Sequence, residues 1–184
     1  MEREDGLSYH EDRGEGYDGY KVGSKRGCGG AALWMEGSLV RSNVYLRHAI
    51  YWTTPDVAEF TVWYRYPNDI EEEKTFRLRL GEKATRIRSR YSRQGQPAGG
   101  LEVAVGLTAQ TAEPGIRFDA EAGRLSLEEV LGSDSLTTFV EWPPAAQPAA
   151  AEQLLGSPKQ REALVILTTD PSGEVEYEVG FEVR

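Results

Sequence analysis

An alternation of apolar and polar residues with a period of two recurs along most of this chain and constrains its fold more than any other feature. Over Val57–Tyr66 the apolar side chains fall on one parity, and residues 75–80, 86–91 and 101–107 repeat the pattern. Successive side chains of a strand point to opposite faces of a sheet, so each segment predicts a half-buried strand. Many short strands separated by turns predict a twisted, antiparallel all-β sandwich.

The other segments are predicted to complete a single domain over residues 1–184. The first 30 residues are rich in glycine and predict a long loop with one short strand at 20–22. Residues 143–160 predict a surface excursion, in which 148–155 is a helix candidate. The chain is still in strand pattern at its last residue, so an incomplete sandwich is an alternative. Further strands are predicted at 31–35, 115–118, 124–127, 136–142, 163–168 and 175–183.

Composition and charge argue against several classes of function. The net charge of −9 and the pI of about 4.9 disfavour nucleic-acid binding, which depends on a basic surface, and an anionic membrane surface. No apolar run approaches the roughly 20 residues that a membrane helix needs. The acidic N-terminus lacks an apolar signal sequence, so a cytoplasmic location is the default expectation. An anionic sugar is not excluded, because a local cluster of arginines can outweigh the global charge.

The sequence predicts no cofactor and no metal. Cys28 is the only cysteine, and the two histidines show no metal-ligand spacing. The spacing of Gly14, Gly16 and Gly19 matches the dinucleotide fingerprint, but that motif must follow a strand and open a helix. Residues 23–30 lack the Gly-Lys-Ser/Thr ending of a P-loop. Their glycines instead indicate a turn or bulge with a close backbone approach.

Three segments near the N-terminus resemble a known bacterial family. The pair Tyr9-His10 is followed by a Val-Gly step at 22–23 and by the sequence GCGGAALW at 27–34. This order resembles the family called domain of unknown function 4861. Its later strands are similar to residues 80–91, 101–107 and 164–179, so the resemblance covers nearly the whole chain, although only the glycine-rich segment is specific.

The resemblance implies several properties that the residue pattern does not show. Family members resemble the galactose-mutarotase-like β-sandwich (supersandwich) proteins and occur beside enzymes that degrade plant and algal polysaccharides. Most are longer, with a signal peptide and a further N-terminal sheet. The resemblance therefore implies a fragment or trimmed member, and a periplasmic or extracellular location if the natural N-terminus is missing. It supplies no mechanism to assign to individual residues.

His10 is the sharpest candidate for catalysis. A neutral imidazole can accept a proton near neutral pH, and Tyr9 or Tyr20 could act as the partner acid. A polysaccharide lyase also needs a cation beside the sugar carboxylate, and Arg26 or Lys21 could supply it. The alternative is an exposed or structural loop histidine.

Asp18 is a further candidate for substrate binding, or for one of the two carboxylates that a hydrolase needs. The alternative for this carboxylate is a solvated charge or a turn residue.

Two surface features favour sugar binding on the polar face of the predicted sheet. Arg77 and Arg88 belong to a group of five arginines on two neighbouring strands, which could bind an anionic glycan or pair with glutamates such as Glu59 and the run at 71–73. Trp63 lies on the polar parity of its strand and could stack on a sugar ring.

Three functions therefore stay open. The first is a lyase or hydrolase acting on uronate-containing polysaccharide. The second is a non-catalytic carbohydrate-binding module, and the third is a structural β-sandwich. The predicted partner is a polysaccharide or oligosaccharide, and the sequence leaves the oligomeric state open.

Overall fold

The computed structural model describes residues 14, 20, 22, 25–42, 44–131, 134–144, 148, 150–151 and 161–184. This part of the chain contains strands and turns and no helix, so it has no helix of the length and apolar character that crossing a membrane requires. The strands pair antiparallel in two sheets that pack face to face. The predicted all-β sandwich is confirmed.

Within the described residues, the smaller sheet has five strands. Their bounds are β1 Cys28–Met35, β2 Ser38–Val40, β8 Glu102–Thr108, β12 Ala150–Ala151 and β13 Glu162–Thr168. In spatial order they are β12, β13, β8, β1 and β2.

The larger sheet has nine strands in the part of the chain that the structure describes. Their bounds are β3 Arg47–Thr53, β4 Val57–Tyr66, β5 Ile70–Arg79, β6 Ala84–Arg93, β7 Gln96–Pro97, β9 Gly115–Asp119, β10 Arg124–Leu131, β11 Asp134–Glu141 and β14 Glu174–Val183. The spatial order is β3-β4-β5-β6-β14-β11-β10-β9, and β7 pairs with β6 beside this path.

The hydrophobic core lies between the two sheets. Strands β1, β8 and β13 of the small sheet contact β10, β11 and β14 of the large sheet. Buried residues such as Leu33, Val105 and Leu125 alternate along their strands with residues of the opposite face, as the period of two requires. The β3–β4–β5 end of the large sheet carries exposed apolar side chains, among them Ile50 and Leu78. Its inner, concave face is therefore the accessible part of the sandwich interior.

The strand predicted at 31–35 extends further toward the N-terminus than expected. β1 begins at Cys28, inside the segment expected to be a loop. Gly29 has a φ of +80°, and the β1–β8 register shifts between Cys28 and Gly30. The glycine therefore forms a bulge that allows the strand to continue, which is one of the two uses expected for these glycines.

Other differences from the prediction are local. Tyr20 and Val22 are not in a strand, and Ala150–Ala151 pairs with β13 rather than forming a helix. Strand β3 was not predicted, because its sequence lacks a clean alternation. Leu80, expected to point inward with the apolar residues of β5, is exposed because the strand ends at Arg79.

Candidate functional site

A buried polar cluster lies on the concave face of the large sheet and is centred on Glu72. Only 1% of the Glu72 surface is exposed. Its carboxylate accepts hydrogen bonds from the Tyr66 hydroxyl at 2.8 Å, Ser89 Oγ at 2.7 Å and the Tyr91 hydroxyl at 3.0 Å, and Lys74 Nζ lies 3.2 Å away. We call these five residues the Glu72 cluster. Four donors around one carboxylate satisfy it away from bulk water.

The register of three strands assembles this cluster. Tyr64 lies opposite Glu72 and Glu72 opposite Tyr91, while Lys74 lies opposite Ser89. Because side chains alternate, β4, β5 and β6 deliver these groups to the same face.

The charges of the cluster support each other. Burial alone would raise the pKa of Glu72, but the Lys74 charge and the hydrogen bonds from Ser89 and Tyr66 outweigh it and hold the pKa below its ordinary value. Burial opposes the Lys74 charge, yet the Glu72 carboxylate raises the pKa of Lys74. Burial and Glu72 raise the pKa of Tyr66 and of Tyr91. The cluster therefore holds an ion pair and neutral phenols at neutral pH.

The Glu72 cluster forms one wall of a cavity of about 440 Å³ between the sheets. Gly30 and Arg26 line the opposite side, where the Arg26 guanidinium lies 3.5 Å from the Glu162 carboxylate. Tyr64 lines the same cavity, with Lys74 Nζ 6.0 Å from its ring centroid. The cavity thus combines cationic, phenolic and apolar groups.

An open groove of about 410 Å³ adjoins this cavity on the concave side of β3 and β4. Tyr45, His48 and Ile50 line the groove, and Phe60 and Tyr64 line both the groove and the cavity. The shared residues show that the two spaces are neighbours, and we call them together the concave depression. The rings of Tyr45 and His48 meet edge to face with centroids 6.1 Å apart.

His48 and Lys74 face the same depression from different strands. His48 lies opposite Val62, which lies opposite Lys74. Since neighbouring strands are about 4.8 Å apart, the Cα atoms of His48 and Lys74 are roughly 10 Å apart.

The residues predicted from sequence are distributed over different places. His10, Tyr9, Lys21 and Asp18 lie outside the described residues. Arg26 lines the depression, where burial lowers the pKa of its guanidinium and the Glu162 charge opposes that effect. These assignments stay predictions.

Tyr20 is half-buried and does not line the depression. Its hydroxyl donates a hydrogen bond to the Thr108 carbonyl oxygen at 3.0 Å. Burial raises the pKa of the phenol, so the group stays neutral. This contact anchors the segment before β1 to β8.

Trp63, Arg77 and Arg88 share the outer face of the large sheet, as the alternation predicts. Trp63 Nε1 donates to Glu73 at 3.2 Å, and the Arg47 guanidinium lies 4.1 Å from its ring centroid. One face of this indole is therefore occupied by a cation within the chain.

The arginines of the outer face are accompanied by carboxylates. Arg77 lies opposite Arg86, as expected if the two strands form a hairpin. The Arg77 guanidinium is 3.7 Å from the Glu59 carboxylate. Arg86 and Arg90 pair with the β14 residues Glu176 and Glu174. The carboxylates of β14 were not foreseen, because this strand is more than 80 residues away in sequence.

Sequence reasoning missed the concave depression. Glu72 was assigned with its neighbours to the solvated run at 71–73, but its side chain points inward. The available signal was parity: Glu72 and Lys74 share the parity of Ile70 and Phe76, which is the apolar side of β5. No comparable signal marks His48, whose role depends on the tertiary position of β3. Among the described residues, no three His, Cys, Asp or Glu side chains come together as a metal site.

Comparison with known proteins places this architecture in a family. Residues 2–183 match the model of "Domain of unknown function (DUF4861)". A curated relative, "Uncharacterized protein P7" from Formosa agariphila, is 28% identical over 177 residues, which are 94% of this chain and 43% of that protein. The chain thus spans less than half the length of this relative.

Solved structures with a similar fold include the heparan sulfate lyase HepC from Pedobacter heparinus. A mutant of that enzyme aligns with a TM-score of 0.55 and 12% identity over 82% of this chain and 23% of that chain. The unmutated enzyme aligns with a TM-score of 0.52 and 10% identity over the same shares. At this level of identity the likeness concerns the fold of the sandwich.

Proposed function

This chain belongs to the DUF4861 family, and on that premise we propose that its concave depression binds a polysaccharide. The observation that carries the proposal is the joining of the groove and the cavity through Phe60 and Tyr64. Aromatic rings offer flat apolar surfaces to the C–H faces of sugars, and a few polar groups fix the orientation of a ligand in a mostly apolar cleft. The rings of Tyr45, Phe60 and Tyr64 provide the flat apolar surfaces. Lys74 and Arg26 provide the polar groups.

An acidic polysaccharide is the first ligand to test. The two similar structures are heparan sulfate lyases by name, and this analogy rests on the fold alone. Cations line the cavity, although Glu72 and Glu162 accompany them. The family resemblance also implies a galactose-mutarotase-like sandwich and a role in polysaccharide degradation. Both stay predictions.

The variant Tyr45→Ala should weaken binding of an acidic polysaccharide about tenfold, which corresponds to about 1.4 kcal/mol. Tyr45 is half-exposed in the groove, so the substitution removes a contact surface without opening the core. Isothermal titration with heparan sulfate, an uronate-rich algal polysaccharide and a neutral glucan measures the effect.

The matched control is Trp63→Ala on the outer face. If Trp63→Ala weakens binding while Tyr45→Ala does not, the ligand binds the outer face predicted from sequence. If no polysaccharide in the panel binds the folded chain, the proposal is wrong.

A lyase or hydrolase acting on uronate-containing polysaccharide is the second candidate, and the contact between His48 and Tyr45 favours it. In β-elimination a base removes the C5 proton of a uronate and the C4–O bond breaks. A C4=C5 double bond forms, and the leaving oxygen takes a proton from an acid. The imidazole of His48 could accept the first proton and the phenol of Tyr45 could donate the second. The rival base is His10, as predicted from sequence.

In an assay of unsaturated uronate ends by ultraviolet absorbance, His48→Ala should lower the rate at least about 100-fold, the usual share of a general base. His10→Ala is the parallel variant, and loss of activity in that variant alone would assign the base to His10. Release of reducing ends without absorbance would indicate hydrolysis and direct the search to carboxylates, Asp18 included. A chain that binds polysaccharide without either product is a binding module.

A further inference from the structure

Strand β3 forms one end of the large sheet and has an unusually apolar edge. In the part of the chain that the structure describes, β4 is its sole strand neighbour. Ile50, Tyr51 and Trp52 are 70%, 60% and 50% exposed. The single charged residue of the strand is Arg47, at its start.

The exposed apolar side chains are concentrated around this edge. Of the twelve large hydrophobic residues that are exposed in the described part of the chain, eight belong to segments 44–52 and 78–80. The two segments are neighbours, because the Leu80 N–H donates to the Asp56 carbonyl oxygen in the turn that follows β3. A concentration of this kind is typical of an interaction surface rather than of scattered surface residues.

The edge lacks most of the features that prevent strand pairing. Natural edge strands are protected by lysine, proline, inward-pointing charges or bulges. Of these, β3 has the register shift between Ile50 and Trp52, and no lysine or proline occurs from 44 to 53. Within the described residues, no other strand pairs with the backbone groups before that shift on the outer side of β3.

We infer that this surface is an interface at which β3 pairs antiparallel with β3 of a second copy of the chain. A two-fold axis gives each copy the same partner surface, as in most homodimers. The side chains of Tyr51 and Trp52 would pack at this interface, and segment 44–46 would lie beside the paired strands.

Charge favours a second copy as the occupant. The chain carries a net charge of −9, which opposes self-association over most of its surface. Segment 44–53 contains no acidic residue, so two copies can meet there without placing carboxylates together. Antiparallel pairing also places the two Arg47 side chains at opposite ends of the interface.

The dimer would join the concave faces of two large sheets. Tyr45, His48 and Ile50 line the groove beside the β3 edge, so the two depressions would lie next to each other across the axis. The inference does not depend on what the depression binds.

Sedimentation equilibrium of the full chain tests the interface. The wild type should approach twice the monomer mass of 20.5 kDa as its concentration rises. Tyr51→Lys should raise the dimer dissociation constant at least about tenfold, because a lysine on an edge strand disfavours strand pairing. The matched control is Val130→Lys, with a similar exposure of 66% on β10, and it should dimerise as the wild type does. Thermal melting confirms that both variants fold.

Amide hydrogen exchange of the wild type supplies a readout that needs no variant. The β3 amides should be protected at high concentration and exchange faster on dilution. A chain that is monomeric at every concentration, or a dimer that Tyr51→Lys leaves intact, overturns the inference. Dimerisation without concentration-dependent protection of β3 also overturns it.

Discussion

The variant Glu72→Gln is expected to lower the free energy of unfolding by about 3–5 kcal/mol, the usual cost of breaking a buried ion pair from one side. The substitution leaves the Lys74 charge without its partner in a site where only 6% of that residue is exposed. It also replaces an acceptor of several hydrogen bonds by an amide that carries donors of its own. Urea denaturation followed by circular dichroism measures the loss.

Two variants separate this effect from a general loss of negative charge. Glu71→Gln removes the neighbouring exposed carboxylate, which pairs with Arg65 at 2.8 Å, and should cost less than about 1 kcal/mol. Adding Lys74→Met to Glu72→Gln removes the unpaired charge and should restore part of the stability. If Glu72→Gln lowers the free energy of unfolding no more than Glu71→Gln does, that result would contradict the buried ion pair.

The pH dependence of stability provides a second readout of the same variant. The folded-state pKa of Glu72 lies below its ordinary value of 4.5, because Lys74 and the hydrogen bonds outweigh the effect of burial. The stabilisation is fully present above the unfolded-state pKa and is lost as the pH falls through the folded-state pKa. The difference between wild type and Glu72→Gln should therefore shrink below about pH 4.5.

The variant Gly29→Ala is expected to cost on the order of 3 kcal/mol, from the strain of a left-handed backbone and from overpacking. Gly29 has a φ of +80°, and a Cβ there would lie 2.7 Å from the Cβ of Val179 and closer still to one of its two methyl groups. The same position brings the Gly29 carbonyl oxygen within 3.3 Å of the Tyr177 hydroxyl, which donates to it. The bulge thus fixes the distance between the two sheets beside the cavity.

Gly37→Ala is the matched control for the backbone. Gly37 has a similar φ of +76°, but a Cβ at that position meets no atom within 4 Å. Its cost should be about 1–2 kcal/mol, the backbone strain alone. The double variant Gly29→Ala with Val179→Ala should be more stable than the sum of the single effects predicts, because the second change makes room for the first. Equal losses for Gly29→Ala and Gly37→Ala would contradict the close packing.

The sequence predicted the class of fold and the faces of several strands. The alternation in β4 and β6 correctly separated inward Tyr66 and Tyr91 from the outward arginines. It failed at β3, where a bulge interrupts the alternation. The predicted site residues were chosen mainly from the first 30 residues, and most of them lie outside the described part of the chain.

The sequence by itself determined that this protein is a stack of antiparallel sheets, because a side-chain period of two is a local property of the chain. It also determined that the outer face of the large sheet is rich in arginine. Only the tertiary structure decided which charges are buried and which groups meet. The strand register places Glu72 among Tyr66, Lys74, Ser89 and Tyr91. The position of β3 at one end of the large sheet leaves its side chains exposed. Both features arise from strand pairing, which no local pattern encodes.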